Sequence, residues 1–181
     1  YLNIKKYYIL DPGDSVKILG LPGTPIILDS PSFLLSNDFC DELEKSRGFK
    51  KFFFNSFYSK SKIHLNIIKN IKSTDAENRK RLPAGAKIPK LPKISNKDIE
   101  YLKTAKLFVD ANFNTNLGNT EKFMFPVTHK TAELWLFYFV KYKFNKFGDY
   151  QDFVNKDHAF MFHSLLSTSI NIGLLTPKRV I

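Results

Sequence analysis

Phe160-Met161-Phe162-His163-Ser164-Leu165-Leu166-Ser167-Thr168-Ser169-Ile170-Asn171-Ile172-Gly173 gathers the polar groups of His163, Ser164 and Ser167 inside an apolar run. The pattern predicts a helix from about Asp157 to Ile172, closed by Gly173. In such a helix Ser164 and Ser167, three residues apart, share one face. If a helix start lies here, its free N–H groups and dipole favour an anion such as a diphosphate. Serines on a helix also bond to their own backbone, and at this point both readings stand.

Upstream, Thr128 caps a predicted helix carrying Leu134, Trp135, Leu136, Phe137, Phe139, Val140 and Phe144, with Gly148 in the following loop. Ser95-Asn96-Lys97-Asp98 resembles a capping box and opens a helix through about Asp110. Residues 71–95 contain Pro83, Pro89 and Pro92 and have no regular period, so they read as an extended basic linker. Phe49, Phe53 and Phe57 recur every four residues, as do Phe54 and Tyr58, giving an apolar face to a basic helix. Ser36 or Asn37 caps a helix that stops near Gly48.

The first residues read differently. Lys5 to Leu10 and Ile26 to Leu28 are strand candidates, with turns at Asp11-Pro12-Gly13-Asp14 and Pro22-Gly23-Thr24-Pro25. Their unbroken apolar runs suit a buried parallel sheet. The stretch between them is short for a crossover helix, so they are expected to be the remnant of an α/β layer. The chain begins without Met, close to a strand. It ends at Arg179-Val180-Ile181, just after the N-cap and N1 pair Thr176-Pro177 has announced a new helix. The expectation is a piece of a longer protein, of α+β class.

Charge adds a partner class. The net charge is +11, and residues 45–106 hold 17 of the 28 basic residues against 4 of the 17 acidic ones. A basic block between near-neutral flanks suits a polyanion, or is a solvated lysine-rich face. The single cysteine, Cys40, excludes an internal disulfide or a four-cysteine cluster within this sequence. His64, His129, His158 and His163 do not form a zincin pair, and no metal site is expected. The 8 glycines form neither GxGxxG nor a Walker loop. No apolar run spans a membrane and no signal peptide opens the chain, so a soluble, cytoplasmic monomer is expected.

The block from His163, continued through Gly173-Leu174-Leu175-Thr176-Pro177-Lys178-Arg179, resembles the flavin-binding signature of the photolyase–cryptochrome superfamily. His163 stands at that signature's Thr; Ser164, Leu166, Ser167 and Gly173 match it directly; Thr168 replaces its first Pro and Lys178 its Arg. His-Ser and Asn-Ile-Gly-Leu-Leu are most similar to one branch, the iron–sulfur bacterial cryptochromes and (6-4) photolyases. Three more segments resemble that branch in order: Asp75 to Pro83, Phe125-Pro126-Val127-Thr128, and Phe147-Gly148-Asp149-Tyr150-Gln151-Asp152. Leu28 to Leu34 follows more loosely, and Lys72-Ser73-Thr74-Asp75 departs from the branch's Trp-Ser-Phe-Asp.

The resemblance implies residues 1–34 as the end of a Rossmann-like antenna-type domain, 35–94 as helices and a basic linker, and 95–181 as the first part of an all-α FAD-binding domain. It implies FAD contacts from Tyr150, His163, Ser164, Leu165, Leu166 and Ser167, and DNA-phosphate contacts from Arg79, Lys80 and Arg81, with Lys72 and Lys87 as further candidates. For Tyr150 a loop aromatic covering the core is the alternative, and for Arg79 a pairing with Asp75 or Glu77. The implied activity is light-driven repair of UV pyrimidine photoproducts in DNA by electron transfer from reduced flavin. A blue-light sensor, a non-repairing flavin-binding relative, or a basic DNA-binding module without flavin are the other readings. The cysteines of an iron–sulfur cluster, an antenna chromophore's ligands and the catalytic residues would all lie outside this sequence.

Overall fold

The computed structural model describes residues 5–10, 24–46, 54–68 and 75–181. They fall into two compact units: residues 1–71 with 176–179 and 181, and residues 72–175 with 180. The composition is helical with one small parallel sheet, an α+β chain.

In the first unit β1 (Lys6–Leu10) and β2 (Thr24–Leu28) pair in parallel, with Tyr8 opposite Ile26 and Leu10 opposite Leu28. The second strand starts two residues earlier than its apolar run, because the Thr24 N–H reaches the Lys5 carbonyl at 3.1 Å. The turn predicted at Asp11-Pro12-Gly13-Asp14 and the Pro22-Gly23 half of the second turn lie outside the described residues. α1 (Asn37–Lys45) begins where the Ser36 hydroxyl accepts the Phe39 N–H, and Asp38 complements its positive end. α2 (Phe54–Leu65) keeps Phe57 half-buried, while Phe54 and Tyr58 stack at 6.3 Å on its exposed side. Gly48, Phe49 and Phe53, expected as a helix stop and as part of the apolar stripe, lie outside the described residues. The Phe39 ring stacks on His64 at 4.0 Å and ties α1 to α2.

Among its described residues the second unit starts with one 3-10 turn, Asp75–Glu77, and runs without helix or strand to Ser95, as the prolines predict. The capping box at Ser95 and Asp98 forms in full and starts α3 (Asn96–Asn112). Thr128 accepts the Thr131 N–H and starts α4 (His129–Tyr142). One face of α4 builds the main core: Ala132, Trp135, Leu136 and Phe139 meet Leu166 and Leu175.

Two expectations change here. Gly148 is not in a loop; it sits inside α5 (Phe144–Tyr150). Phe144 and Phe147 set their edges on Phe139 at 5.6 and 5.7 Å, and this packing outweighs the poor helix propensity of glycine. The helix expected over residues 157–172 shrinks to α6 (Ser167–Asn171), closed by Gly173 at φ +76°. Met161, Phe162, Leu165 and Leu166 have helical spacing, but they serve two cores. Met161 and Phe162 join Tyr150, whereas Leu165 and Leu166 join Trp135. The chain must turn between them, so no single helix fits. α7 (Pro177–Val180), whose residues 177–179 count with the first unit, begins at the predicted Thr176-Pro177 cap.

Candidate functional site

The turn at His163 is assembled from contacts around it. The His163 N–H donates to the Phe160 carbonyl at 2.9 Å, which bends the chain across Met161 at φ +32°. Leu165 follows at φ +58°, and the Leu166 N–H reaches back to Ser164 Oγ at 3.4 Å. Left-handed backbone at a residue with a side chain costs of order 1–2 kcal/mol each time, so neighbouring contacts hold this turn in place. His163 Nε2 meets the Gln151 carbonyl at 2.9 Å. A carbonyl only accepts, so Nε2 carries the hydrogen and Nδ1 is the ring's remaining polar atom. The His163 ring also stands edge-on to Phe147 at 6.1 Å. Behind the main chain, Lys143 Nζ lies 3.5 Å from the His163 carbonyl.

His163 lies on the wall of an open cavity of about 750 Å³, shared with Arg79, Gln151, Asp152, Lys156 and His158. Two permanent cations, Arg79 and Lys156, against the one carboxylate of Asp152 leave this hollow with a positive bias that suits an anionic ligand. The residues present fit a diphosphate in that sense. The hydroxyls of Thr168 and Ser169 are buried without a hydrogen-bond partner, immediately after Ser167.

The other expected flavin contacts are spread over this region. Ser167 is exposed at the first position of α6, and Ser164 is half-buried before it. They therefore do not share a helix face, which corrects the i, i+3 reading. The short length of α6 also removes most of the expected dipole effect. Leu166 is buried in the main core and Leu165 packs beside it. Tyr150 ends α5, with its ring stacked on Phe162 at 5.2 Å in the smaller core.

Arg79 and Lys80 belong to a latch between the linker and the end of α5. The Lys80 N–H donates to the Asp149 carbonyl at 2.9 Å, and the Asp152 N–H to the Asn78 carbonyl at 3.1 Å. Side chains repeat the pairing: Lys80 with Asp149 at 2.9 Å, Arg79 with Asp152 at 3.4 Å, and Asn78 Nδ2 with Asp152 at 3.0 Å. Thus Arg79 does fix the linker, and it does so through Asp152. The backbone pairing places residue 79 beside residue 152. The hydrogen bond and charge of Asp149 push the Lys80 ammonium pKa up. Arg79 is nonetheless 76% exposed, and Arg81 and Lys87 are exposed too. Lys72 lies outside the described residues.

Asp98 shows how the capping box reaches the site's frame. Its carboxylate is 0% exposed. It accepts from the Ser95 N–H at 2.9 Å, the Val127 N–H at 2.8 Å, and the hydroxyls of Ser95 and Thr131. Burial alone would push its pKa up, yet these donors together hold it far below the usual carboxylate range. The start of α3, the Pro126-Val127-Thr128 turn and the start of α4 are thereby clamped at one point.

Sequence reasoning anticipated the Asp98 cap but not this wider role, and it missed Lys143, Asp149 and Asp152. A signal for Lys143 was available. It falls four residues after Phe139 and four before Phe147, on the stripe both phenylalanines use to enter the core. Among the described residues, no three His, Cys, Asp or Glu side chains come together to hold a metal, and no helix is long and apolar enough to cross a membrane.

Comparison with known proteins places these observations in a family. A (6-4) photolyase of Agrobacterium fabrum is 38% identical over 108 residues, which is 59% of this chain and 20% of that protein. The chain thus spans about a fifth of the length of this relative. The model of the deoxyribodipyrimidine photo-lyase-related protein family matches residues 17–125, a span that includes Arg79 to Arg81 and ends before Tyr150 and the His163 turn. Because that match takes in more than half of the 181 residues, the chain belongs to the deoxyribodipyrimidine photo-lyase-related proteins.

Proposed function

We propose that this chain forms one wall of a flavin-diphosphate site in a photolyase-like protein that acts on UV photoproducts in DNA. The observation that carries the reading is the placement of His163 and Arg79 on one positively biased cavity. His163 comes from the segment that resembles the superfamily's flavin signature, and Arg79 from the linker that the family model covers. In this reading β1 and β2 are the end of a Rossmann-like layer, α1 and α2 lead into the basic linker, and residues 95–181 begin a helical FAD-binding domain. Arg79 would hold the diphosphate, and the His163 ring, whose Nε2–H stays on the Gln151 carbonyl, would shape the wall beside it. Ser164, Ser167 and the amides around Leu165 and Leu166 would supply further donors. Tyr150 would support the turn through Phe162. When bound and reduced, FAD supplies the light-driven electron for repair; the protein's part is placement and electrostatics.

An absorption spectrum of the purified full-length protein tests this directly: flavin bands are expected in the near-ultraviolet and blue. His163→Ala with Arg79→Ala is expected to weaken FAD binding by about tenfold or more, the loss of a charge-assisted contact. A colourless wild-type protein that takes up no added FAD removes the reading.

Lys80 and Arg81, with Arg79, are the proposed DNA-phosphate contacts. Phosphates would compete with exposed ion pairs, which are weak partners. Replacing Arg79 and Lys80 by Ala is expected to flatten the slope of log K against log salt by about one to two. A slope equal to wild type would take the pair out of the DNA interface.

A further inference from the structure

The site as described leaves one buried charge unused. Lys143 interrupts the chain between α4 and α5, with φ −121° and ψ −31°, and is 2% exposed. Lysines at the surface bury their stems and keep the ammonium in water; this one buries both. No carboxylate lies within ion-pair distance of it among the described residues. Its polar neighbour is the His163 carbonyl at 3.5 Å. Burial pushes its pKa down, as expected for an ammonium stripped of water.

That carbonyl lies between Met161 and Leu165, which both take left-handed backbone within five residues. A strained turn persists only where its surroundings over-determine it. The Phe160 carbonyl holds it from within, and the Gln151 carbonyl and Phe147 hold the imidazole. Lys143 Nζ faces the main chain at the residue that reaches the cavity wall, at the long end of hydrogen-bond distance. A buried ammonium facing a single carbonyl is expensive, and an apolar side chain of equal length would fill the space at lower cost. The charge is therefore better explained by what it points at than by packing.

We infer that Lys143 is a positioning residue of the flavin site, its ammonium holding the His163 carbonyl so that the imidazole stays on the cavity wall. The inference rests on the flavin reading for its consequence, though not for its geometry. It separates charge from packing. Lys143→Met keeps length and bulk and removes the charge; Lys143→Arg keeps the charge and the donors.

Three measurements on the full-length protein decide it. Amide hydrogen exchange of residues 160–167 without FAD is expected to speed up about tenfold in Lys143→Met, and to return to the wild-type rate in Lys143→Arg. Titration with FAD is expected to show about tenfold weaker binding in the Met variant and near wild-type binding in the Arg variant. The melting temperature of the Met variant without FAD is expected to be equal or higher, because an uncompensated buried charge has been removed. Weaker binding in a protein of undiminished stability is a split that a packing role does not produce. Unchanged exchange in the Met variant overturns the inference, whatever FAD does. Wild-type protein that binds no FAD overturns the flavin reading alone, and the exchange comparison still decides the role of Lys143. Should the Met variant fail to fold, Lys143→Leu, which likewise removes both the charge and the donor, is read the same way.

Discussion

α4 and the segment from Phe160 to Asn171 are both rich in apolar residues, and both reach the main core, yet they are held in opposite ways. α4 carries its order within itself. Thr128 caps it, its backbone groups pair along its own axis, and Ala132, Trp135, Leu136 and Phe139 repeat on one face. The segment after Phe160 makes little regular structure before Ser167, and it contains two left-handed residues. Its shape comes from partners elsewhere: Lys143, Phe147 and Gln151. A change inside α4 should therefore act on stability, and a change around the segment on the geometry of the cavity. Substitutions can test that division.

The largest effect is expected at Trp135, which is 2% exposed at the centre of the main core, with Phe125 tilted against it at 6.4 Å. Its indole Nε1 has no hydrogen-bond partner, so the loss on truncation is one of packing and burial. Trp135→Ala is expected to cost about 3–5 kcal/mol, read as a fall in urea midpoint at constant slope. A cost below about 1 kcal/mol would show that α4 does not organise this core.

Asp98 comes next, because it ties the start of α4 to the start of α3. Asp98→Asn places an amide NH₂ among groups that all donate. It is expected to cost about 2–4 kcal/mol at neutral pH. The sign of the pH dependence follows from the depressed pKa. The carboxylate's contribution is fully present above the ordinary value of about 4 and is lost as pH falls toward the folded value. The gap in urea midpoint between wild type and Asp98→Asn should therefore narrow steadily as the pH drops below about 4. A gap that stays constant down to pH 2 would mean that the four donors do not hold the charge.

Much of α4 and α3 is legible in the sequence because the signals are local. Ser95-Asn96-Lys97-Asp98 and Thr128 are caps that act within one turn, and the Trp135 face repeats at helical spacing. The resemblance of the His163 block to a flavin signature picks out a segment that does reach a cavity wall. What the sequence does not show is the partner of each group. Arg79 reads as a neighbour of Asp75 and Glu77, yet its carboxylate lies 73 residues away. Met161, Phe162, Leu165 and Leu166 read as one helical face, and only the existence of two separate cores explains why they are not. Long-range pairing and strained turns leave no periodic trace, so the irregular half of the site is the half that a local pattern does not encode.

The smallest effects give the sharpest contrast, since two glycines flank the irregular segment in opposite roles. Gly148 lies inside α5 with an ordinary φ, and a methyl group added there would meet nothing within 4 Å. Gly148→Ala should remove unfolded-state entropy without strain and stabilise by about 0.5–1 kcal/mol. Gly173 also has open space around the added methyl, but its φ of +76° is the left-handed turn that ends α6. There the Leu175 N–H closes back on the Ser169 carbonyl at 3.1 Å. Gly173→Ala should therefore destabilise by about 1 kcal/mol from backbone strain alone. Thermal melts of the two variants should move in opposite directions. If both move the same way, either α5 does not continue through Gly148 or α6 does not end in a left-handed turn, and hydrogen exchange across each helix tells which.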